Sequence, residues 1–352
     1  MIAIKSIQVA EKFIGEMHPC FIIAEAGVNH NGNADLAMQL IDAAANAGAD
    51  AVKFQTFHAD SVVSCTAEKA EYQRSTTPSN ESQYDMIKRL ELSDDAFWDL
   101  SEYADRKGII FLSTPFDEES VDLLDRIGVP AYKVPSGEIN DFHLLKKIAK
   151  KKKPIIQSTG MATLGEVDDA FSFLRLHGAE EIALLHCTTN YPAAVSTANL
   201  RAMDTLRCAF QVPVGYSDHT EGITIPIAAV SMGAQIIEKH FTLDRRLPGP
   251  DHQASLEPQE LHAMVKAIRD VECAFGNGIK RPNKEEEMIK TAAKRSIVAK
   301  VDIHPGERLT RSMLSIKRPG TGIEPRYFEL LMHVRAKTEI PKDQVITWDM
   351  IE

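Results

Sequence analysis

The sequence predicts an α/β fold, a (β/α)8 barrel (TIM barrel) followed by a small C-terminal domain. Short aliphatic and β-branched runs alternate with amphipathic helical segments from about residue 21 to residue 275. Eight strand–helix pairs in about 250 residues are typical of this barrel. The composition shifts at Gly276-Asn277-Gly278, where we expect the barrel to end. The expected strands cover residues 21–24, 51–54, 109–112, 131–134, 155–157, 182–185, 212–216 and 235–237.

The segments between these runs have the apolar spacing of helices with one buried face. A doubly wound sheet is the alternative fold, but no Gly-x-Gly-x-x-Gly phosphate loop follows the first strand. A long polar insertion at about residues 58–92 predicts a lid or an interface over the barrel mouth. The expected helices cover residues 35–47, 94–107, 118–127, 142–151, 165–177, 223–231 and 258–275.

Three segments follow from this pattern: a catalytic barrel at 1–278, a charged linker at 279–294 and a small domain at 295–352. The small domain carries a weak internal repeat, which predicts a pseudo-symmetric fold, with chance similarity as the alternative. The two half-motifs are Ala299-Lys300-x-Asp302-Ile303 and Ala336-Lys337-x-Glu339-Ile340.

Composition restricts the class of protein. The chain has 352 residues and a net charge of -10, which argues against nucleic acid or an anionic membrane as the main partner. No apolar run approaches the roughly 18 to 20 residues that span a bilayer. The five cysteines are an odd number without paired spacing, so we expect reduced thiols and a cytoplasmic protein.

Polar side chains stand at the carboxyl end of every predicted strand, where barrel enzymes carry their chemistry. Taken singly, each has a structural explanation: a lysine in a salt bridge, a serine as a helix cap, a histidine as a buried hydrogen-bonding group. An inert barrel, however, has no reason to place two lysines, two glutamates, two histidines and several hydroxyls at one mouth. The whole set therefore predicts an active site.

The residue types indicate the chemistry. His219 and His240 follow the last two strands and could hold a divalent metal with open positions, a Lewis acid for a carbonyl. Glu25 and Glu138 are available for proton transfer. A phosphate would be held by the charges and hydroxyls of Lys53, Lys133, Ser136, Ser158 and Ser217. Together these groups suit the condensation of a phosphorylated enol with an aldehyde.

Eight short motifs of the sequence are similar to motifs of a known family. They are Glu25-Ala26-Gly27-Val28-Asn29-His30-Asn31-Gly32, Lys53-Phe54-Gln55-Thr56, Ser113-Thr114-Pro115-Phe116-Asp117, Lys133-Val134-Pro135-Ser136-Gly137-Glu138, Ser158-Thr159-Gly160-Met161, Gly215-Tyr216-Ser217-Asp218-His219-Thr220, Glu238-Lys239-His240-Phe241 and Gly249-Pro250-Asp251. Over nearly its whole length the sequence resembles the sialic acid (nonulosonic acid) synthases. The tail, from Arg295 to Gly320, resembles the antifreeze-like (SAF) domain of these enzymes.

The resemblance implies a reaction, in which phosphoenolpyruvate and an open-chain N-acylated mannosamine-type sugar give a nine-carbon α-keto acid and phosphate. It implies that His219 and His240 hold Mn²⁺, or else Mg²⁺ or Co²⁺. It further implies a domain-swapped homodimer, in which Arg318 of one subunit contacts the acyl group of the sugar in the other. Phosphoenolpyruvate would be bound by Lys53, Lys133, Ser136, Ser158 and Ser217, and the sugar by Glu25, Gln55, Tyr191 and Asp251. Thr114 is a further expected substrate-binding residue.

The acceptor sugar stays open between two candidates. Most motifs resemble synthases that use the diacetamido-trideoxymannose precursor of legionaminic acid, whereas Lys69-Ala70-Glu71-Tyr72-Gln73 resembles N-acetylneuraminate synthases. Phe54 and Phe57 stand where some members carry histidines, at positions expected near the sugar.

Two other functions are weighed against the synthase. A Schiff-base aldolase would use Lys133 as its nucleophile and leave the two histidines without a role. A non-catalytic carbohydrate-binding protein would leave the polar strand ends unexplained.

Overall fold

The computed structural model describes residues 4–70, 73–74, 77–78 and 80–352. The chain divides into two compact units, Met1–Gly276 and Asn277–Glu352. No helix in the described part of the chain is both long enough and apolar enough to cross a bilayer.

The first unit is built on eight parallel strands, which confirms the predicted (β/α)8 architecture. The strand order is β5-β4-β3-β10-β9-β8-β7-β6, and β5 lies against β6 at the closure. The strands are β3 Phe21–Gly27, β4 Ala51–Thr56, β5 Ile110–Pro115, β6 Tyr132–Val134, β7 Ile155–Ser158, β8 Ile182–Cys187, β9 Val214–Asp218 and β10 Ile236–His240. Before them, a short hairpin of β1 (Ile7–Val9) and β2 (Lys12–Ile14) packs its apolar side chains against the strand starts inside the barrel.

Helices follow the strands, and several begin or end at residues suited to caps. The side chain of Asn33 caps the helix Ala34–Ala47, Asp117 caps the helix Glu118–Ile127, and Gly108 ends the helix Asp94–Lys107 in the left-handed conformation. The helices are α1 Ala34–Ala47, α2 Ala59–Val62, α3 Gln83–Leu90, α4 Asp94–Lys107, α5 Glu118–Ile127, α6 Phe142–Lys150, α7 Leu164–Leu176, α8 Ala202–Phe210, α9 Thr224–Ser231 and α10 Pro258–Phe275. The sequence pattern does not indicate α8, which is short and follows Arg201, a residue that makes no side-chain cap.

Alternation along the strands determines which side chains reach the barrel interior. In β4, Val52 and Phe54 belong to the apolar layer between strands and helices, whereas Ala51 faces the interior. Lys53 and Gln55 therefore share the inner face with Ala51. The same alternation in β3 places Glu25 inside, above Ile23.

The second unit has its own apolar core. Its first element, α11 (Lys284–Ala293), lies within the segment interpreted as a linker. Strands β11 (Ser296–Ala299) and β12 (Leu314–Lys317) pair antiparallel. Ile303 and Ile340, which hold equivalent places in the two half-motifs of the repeat, also pair antiparallel.

Candidate active site

A cavity of about 310 Å³ opens at the carboxyl ends of the barrel strands. All the site residues predicted within the first unit line this one cavity. They are Glu25, Lys53, Gln55, Thr114, Lys133, Ser136, Glu138, Ser158, Tyr191, Ser217, His219, His240 and Asp251. The remaining predicted residue, Arg318, is exposed and follows β12 in the second unit.

Lys53 is buried at the base of the cavity among oxygen atoms. Its Nζ lies 2.6 Å from Oε2 of Glu25 and donates a 2.8 Å hydrogen bond to Oγ1 of Thr114. Gln55, two residues further along β4, donates from Nε2 to the other oxygen of Glu25 at 3.3 Å. Three neighbouring strands thereby fix one carboxylate and one ammonium group.

Lys133 holds a matching position on the other side of the barrel. Its Nζ donates to Oγ of Ser158 at 2.7 Å. The two lysines are linked by Glu238, whose Oε1 lies 3.8 Å from Lys133 and whose Oε2 lies 3.7 Å from Lys53. Ser217 donates to Oε1 of the same glutamate at 2.8 Å. Glu25, Lys53, Lys133 and Glu238 form what we call the lysine–glutamate cluster.

Glu238 is the main residue that the sequence reasoning missed. Its carboxylate lies two residues before His240 on β10. Strand alternation would have identified it, since a residue two positions before an inward-facing His240 must also face inward. Lys239, between them, faces the outer layer instead and pairs there with Asp218.

Burial and charge act differently on the two glutamates of the cluster. Burial raises the pKa of Glu25 to about 7, against the opposing effect of Lys53. Burial also acts on Glu238, but the charges of Lys133 and Lys53 outweigh it and hold the pKa of Glu238 well below its usual range. When Glu25 is protonated, two ammonium groups face one carboxylate, and the cluster carries a net positive charge suited to an anion.

Glu138 lies apart from this cluster, in the turn of 3₁₀ helix that follows β6. Burial, and next the charge of Asp141, raise the pKa of Glu138 to about 7. Its Oε2 is buried without a hydrogen-bond partner among the described residues. A carboxyl group that can gain or lose a proton near neutral pH is suited to general acid–base catalysis.

Ser136 begins the same turn, and its Oγ accepts a 2.8 Å hydrogen bond from the backbone N–H of Gly160. A Cβ atom at Gly160 would collide with Thr189 and Ser136, so only glycine permits this close approach. The ends of β6 and β7 are thus joined at the cavity wall.

His219 and His240 lie side by side at one mouth because β9 and β10 are parallel neighbours. Their ring centroids are 5.3 Å apart, and the ring of Tyr191 stacks on His219 at 4.0 Å. Nδ1 of His219 donates to the carbonyl oxygen of Thr188 at 2.8 Å. That hydrogen bond leaves the lone pair of this imidazole on Nε2.

The residues around His240 fit a bound cation. Nδ1 of His240 is buried and has no hydrogen-bond partner within the described chain. Burial is the main cause that lowers the pKa of His240, which keeps the ring neutral as a metal ligand must be. Oδ2 of Asp251 lies 3.9 Å from that nitrogen. Nowhere in the described ranges do three or more His, Cys, Asp or Glu side chains form a group that could hold a metal ion.

One wall of the cavity is apolar. The sequence predicts a lid or an interface over the barrel mouth at about residues 58–92, but it does not predict this apolar wall. It consists of Val28, Phe116 and three residues of α3, Met86, Ile87 and Leu90. Phe57 packs behind this wall.

The expectation that Phe54 lies near the sugar is wrong, because Phe54 stacks on Phe111 in the outer layer, away from the cavity. Glu71 and Tyr72, in the motif similar to N-acetylneuraminate synthases, lie outside the described residues.

Comparison with known proteins gives two family matches and close relatives over nearly the full length. The chain is 48% identical over 342 residues to the N,N'-diacetyllegionaminic acid synthase of Legionella pneumophila subsp. pneumophila, covering 96% of each chain. It is 50% identical over 332 residues to the enzyme of the same name from Campylobacter jejuni, covering 94% of this chain and 99% of that one.

A solved structure shares the fold. The N-acetylneuraminic acid (sialic acid) synthetase of Leptospira borgpetersenii, in complex with citrate, is 36% identical with a TM-score of 0.71. The match covers 81% of this chain and 94% of that chain.

The NeuB family model matches residues 40–280, and the SAF domain model matches residues 294–352. The chain therefore belongs to the NeuB family of enzymes and carries an SAF domain at its C-terminal end.

Proposed function

We propose that this enzyme condenses phosphoenolpyruvate with an open-chain N-acylated amino sugar to give a nine-carbon α-keto sugar acid and phosphate. The terminal methylene carbon of phosphoenolpyruvate bonds to the aldehyde carbon, which takes a proton on its oxygen. Water adds to the carbon that bears the phosphate, and the C–O bond to phosphate breaks. The observation that carries this proposal is the lysine–glutamate cluster beside two imidazoles in one cavity.

The phosphate and carboxylate of phosphoenolpyruvate would lie against Lys53 and Lys133. Both ammonium groups are already oriented by the hydrogen bonds that they donate to the hydroxyl oxygens of Thr114 and Ser158. A bound anion would compete with Glu238 for these charges, and the ammonium groups would not need to move far. Such preorganised charge is what an anionic substrate needs in a buried site.

Glu138 is the better candidate for proton transfer, and Glu25 is the alternative. The pKa of each is raised to about 7 by burial. Glu25 is tied to Lys53 at 2.6 Å, whereas Glu138 keeps a buried oxygen without a partner in the described structure. Glu138 could therefore give a proton to the aldehyde oxygen or accept one from the attacking water.

We further propose that His219 and His240 hold a divalent cation, most suitably Mn²⁺, with Mg²⁺ or Co²⁺ as alternatives. When bound, such an ion supplies a Lewis acid for the carbonyl of the acceptor. The neutral state of His240 and the fixed tautomer of His219 support this assignment.

For the acceptor we propose the diacetamido-trideoxymannose precursor of legionaminic acid, with N-acetylmannosamine as the alternative. The two relatives at 48% and 50% identity, both named N,N'-diacetyllegionaminic acid synthase, support the first choice. Gln55, Tyr191 and Asp251 would contact the sugar chain from the cavity wall.

We also propose a homodimer in which Arg318 of the partner chain contacts the acyl group of the sugar. No arginine is found among the described residues that line the cavity of the first unit, so an external arginine would add a group that this cavity lacks.

We propose a cytoplasmic location for the protein. All five cysteines are free thiols, which supports this location.

Phosphate release from phosphoenolpyruvate tests the function. The purified protein is incubated with Mn²⁺ and either acceptor, with an EDTA control. Release that needs a sugar and is abolished by EDTA supports the proposal and names the acceptor. Release without any sugar would contradict it.

A Schiff-base aldolase is the second candidate, and one observation favours it. Burial lowers the pKa of Lys133, as a nucleophilic lysine requires. Borohydride in the presence of pyruvate would then attach a three-carbon unit to Lys133, whereas the proposed condensation predicts no such adduct.

A further inference from the structure

We infer that Asn29 is a positioning residue, which fastens the loop carrying Asp251 to the end of β10 and so fixes the spacing between Asp251 and His240. This inference rests on the proposed metal and acceptor site. Asn29 is not among the residues that line the cavity, so it would act through its neighbours.

The side chain of Asn29 lies in the loop after β3 and is only 2% exposed. Its Nδ2 donates to the carbonyl oxygen of Phe241 at 2.8 Å and to Oγ of Ser255 at 3.0 Å. A carbonyl oxygen can only accept a hydrogen bond, so the amide nitrogen must face Phe241. One amide therefore joins the first barrel loop to both ends of the loop that follows β10.

Ser255 extends this link to the cavity. Its Oγ donates in turn to the backbone carbonyl of Asp251 at 2.7 Å. Next to Ser255, the N–H of Leu256 donates to the carbonyl of His240 at 2.9 Å and so joins the two ends of the loop. At the other end, the N–H of Phe241 donates to the carbonyl of Glu25 at 3.0 Å. The loop from Phe241 to Ser255 is thus closed on itself next to the metal-binding histidine.

The consequence concerns two groups that face the cavity. Oδ2 of Asp251 and the unpartnered Nδ1 of His240 stand 3.9 Å apart, and no direct hydrogen bond of normal length joins them. Their separation depends on the backbone that carries them, which Asn29 and Ser255 hold. Loss of groups that orient metal-binding residues typically weakens metal affinity 10- to 100-fold.

Asn33 provides a matched control in the same loop. Its side chain accepts hydrogen bonds from the N–H groups of Asp35 and Leu36 and caps α1. Asn33→Ala should therefore lower the melting temperature by loss of a helix cap without touching the link to Asp251. A general loss of stability can be separated from a loss of positioning in this way.

The experiment compares Asn29→Ala, Ser255→Ala and Asn33→Ala in the full-length protein. Mn²⁺ affinity is measured by titration calorimetry, and KM is measured separately for the acceptor and for phosphoenolpyruvate. We expect Mn²⁺ affinity to fall about tenfold in Asn29→Ala and Ser255→Ala, and the acceptor KM to rise about tenfold with little change in the KM of phosphoenolpyruvate. Asn33→Ala should match the wild type in all three constants.

Two results would overturn the inference: wild-type constants in a folded Asn29→Ala or Ser255→Ala variant, or the same losses in Asn33→Ala. If Asn29→Ala does not fold, Ser255→Ala decides, because it keeps the bond from Asn29 to Phe241 and removes the two bonds of the Ser255 hydroxyl, to Asn29 and to Asp251. Failure of the proposed function is recognised separately, since the wild type would then release no phosphate while the Mn²⁺ titrations still compare the variants.

Discussion

Lys239 and Asp218 form an ion pair directly behind the two histidines of the cavity, with Nζ of Lys239 2.6 Å from Oδ2 of Asp218. Both side chains are 0% exposed, and the two residues are register partners on neighbouring strands. Each is the chain neighbour of one of the cavity histidines. The pair therefore joins the two strands that present His219 and His240 to one another.

Removal of one partner of this ion pair should destabilise the barrel strongly. In Lys239→Met the carboxylate of Asp218 stays buried without its counter-charge, so we expect the free energy of unfolding to fall by about 3 to 5 kcal/mol. Urea denaturation of the full-length protein measures this. The double variant Asp218→Asn with Lys239→Met should recover part of the loss, and a loss below about 1 kcal/mol in the single variant would contradict the prediction.

Glu138 should make stability depend on pH. Its pKa is raised by burial from an ordinary value of 4.5 to about 7, so the stability that it contributes is complete below pH 4.5 and is lost as the pH rises through 7. Glu138→Gln stays neutral at every pH. The variant should therefore gain about 2 to 3 kcal/mol over the wild type between pH 4.5 and pH 8, measured by urea denaturation. A difference that stays constant with pH would show that Glu138 ionises normally.

The two cavity histidines should be required for metal binding and dispensable for folding. We expect His240→Ala to lose both Mn²⁺ binding and turnover while its circular dichroism spectrum stays unchanged. His186→Ala is the matched control, because His186 also lies near a strand end but bonds the carbonyl of Ala198 and does not line the cavity. Normal turnover in His240→Ala would exclude the metal assignment.

Arg318 should affect one substrate more than the other. If it reaches the acyl group of the sugar in a dimer, Arg318→Ala raises the acceptor KM at least tenfold and leaves the KM of phosphoenolpyruvate nearly unchanged, a difference of about 1.4 kcal/mol or more. Steady-state kinetics with each substrate varied in turn gives both constants. Arg311→Ala, which removes another exposed arginine of the second unit, serves as the control. Equal effects on both constants would argue against this contact.

Much of the barrel and its mouth could be predicted from the sequence because these features follow local periodicity. Alternation along each strand places Lys53 and His240 inward, and the order of the strands brings them together. The wrong expectation that Phe54 lies near the sugar came from the family resemblance. Strand alternation alone places Phe54 in the outer layer, where the structure has it.

Other features depend on contacts between distant parts of the chain. Asn29 meets partners 212 and 226 residues away, and no local pattern announces such bonds. Likewise, the apolar spacing of α3 indicates a buried face, but which cavity this face covers is decided by the path of the insertion. The position of Glu238, in contrast, is predictable from local pattern. The strand alternation that places His240 inside the barrel also places Glu238 there.

The fate of the bridging oxygen of phosphoenolpyruvate tests the central claim most directly. Phosphoenolpyruvate labelled with heavy oxygen between its enol carbon and phosphorus is supplied with Mn²⁺ and the acceptor sugar, and the products are analysed by mass spectrometry. C–O cleavage with carbon–carbon bond formation predicts that the label leaves in phosphate and that an unlabelled nine-carbon acid appears. Label retained in the organic product, or released phosphate without a nine-carbon acid, would contradict the proposed condensation.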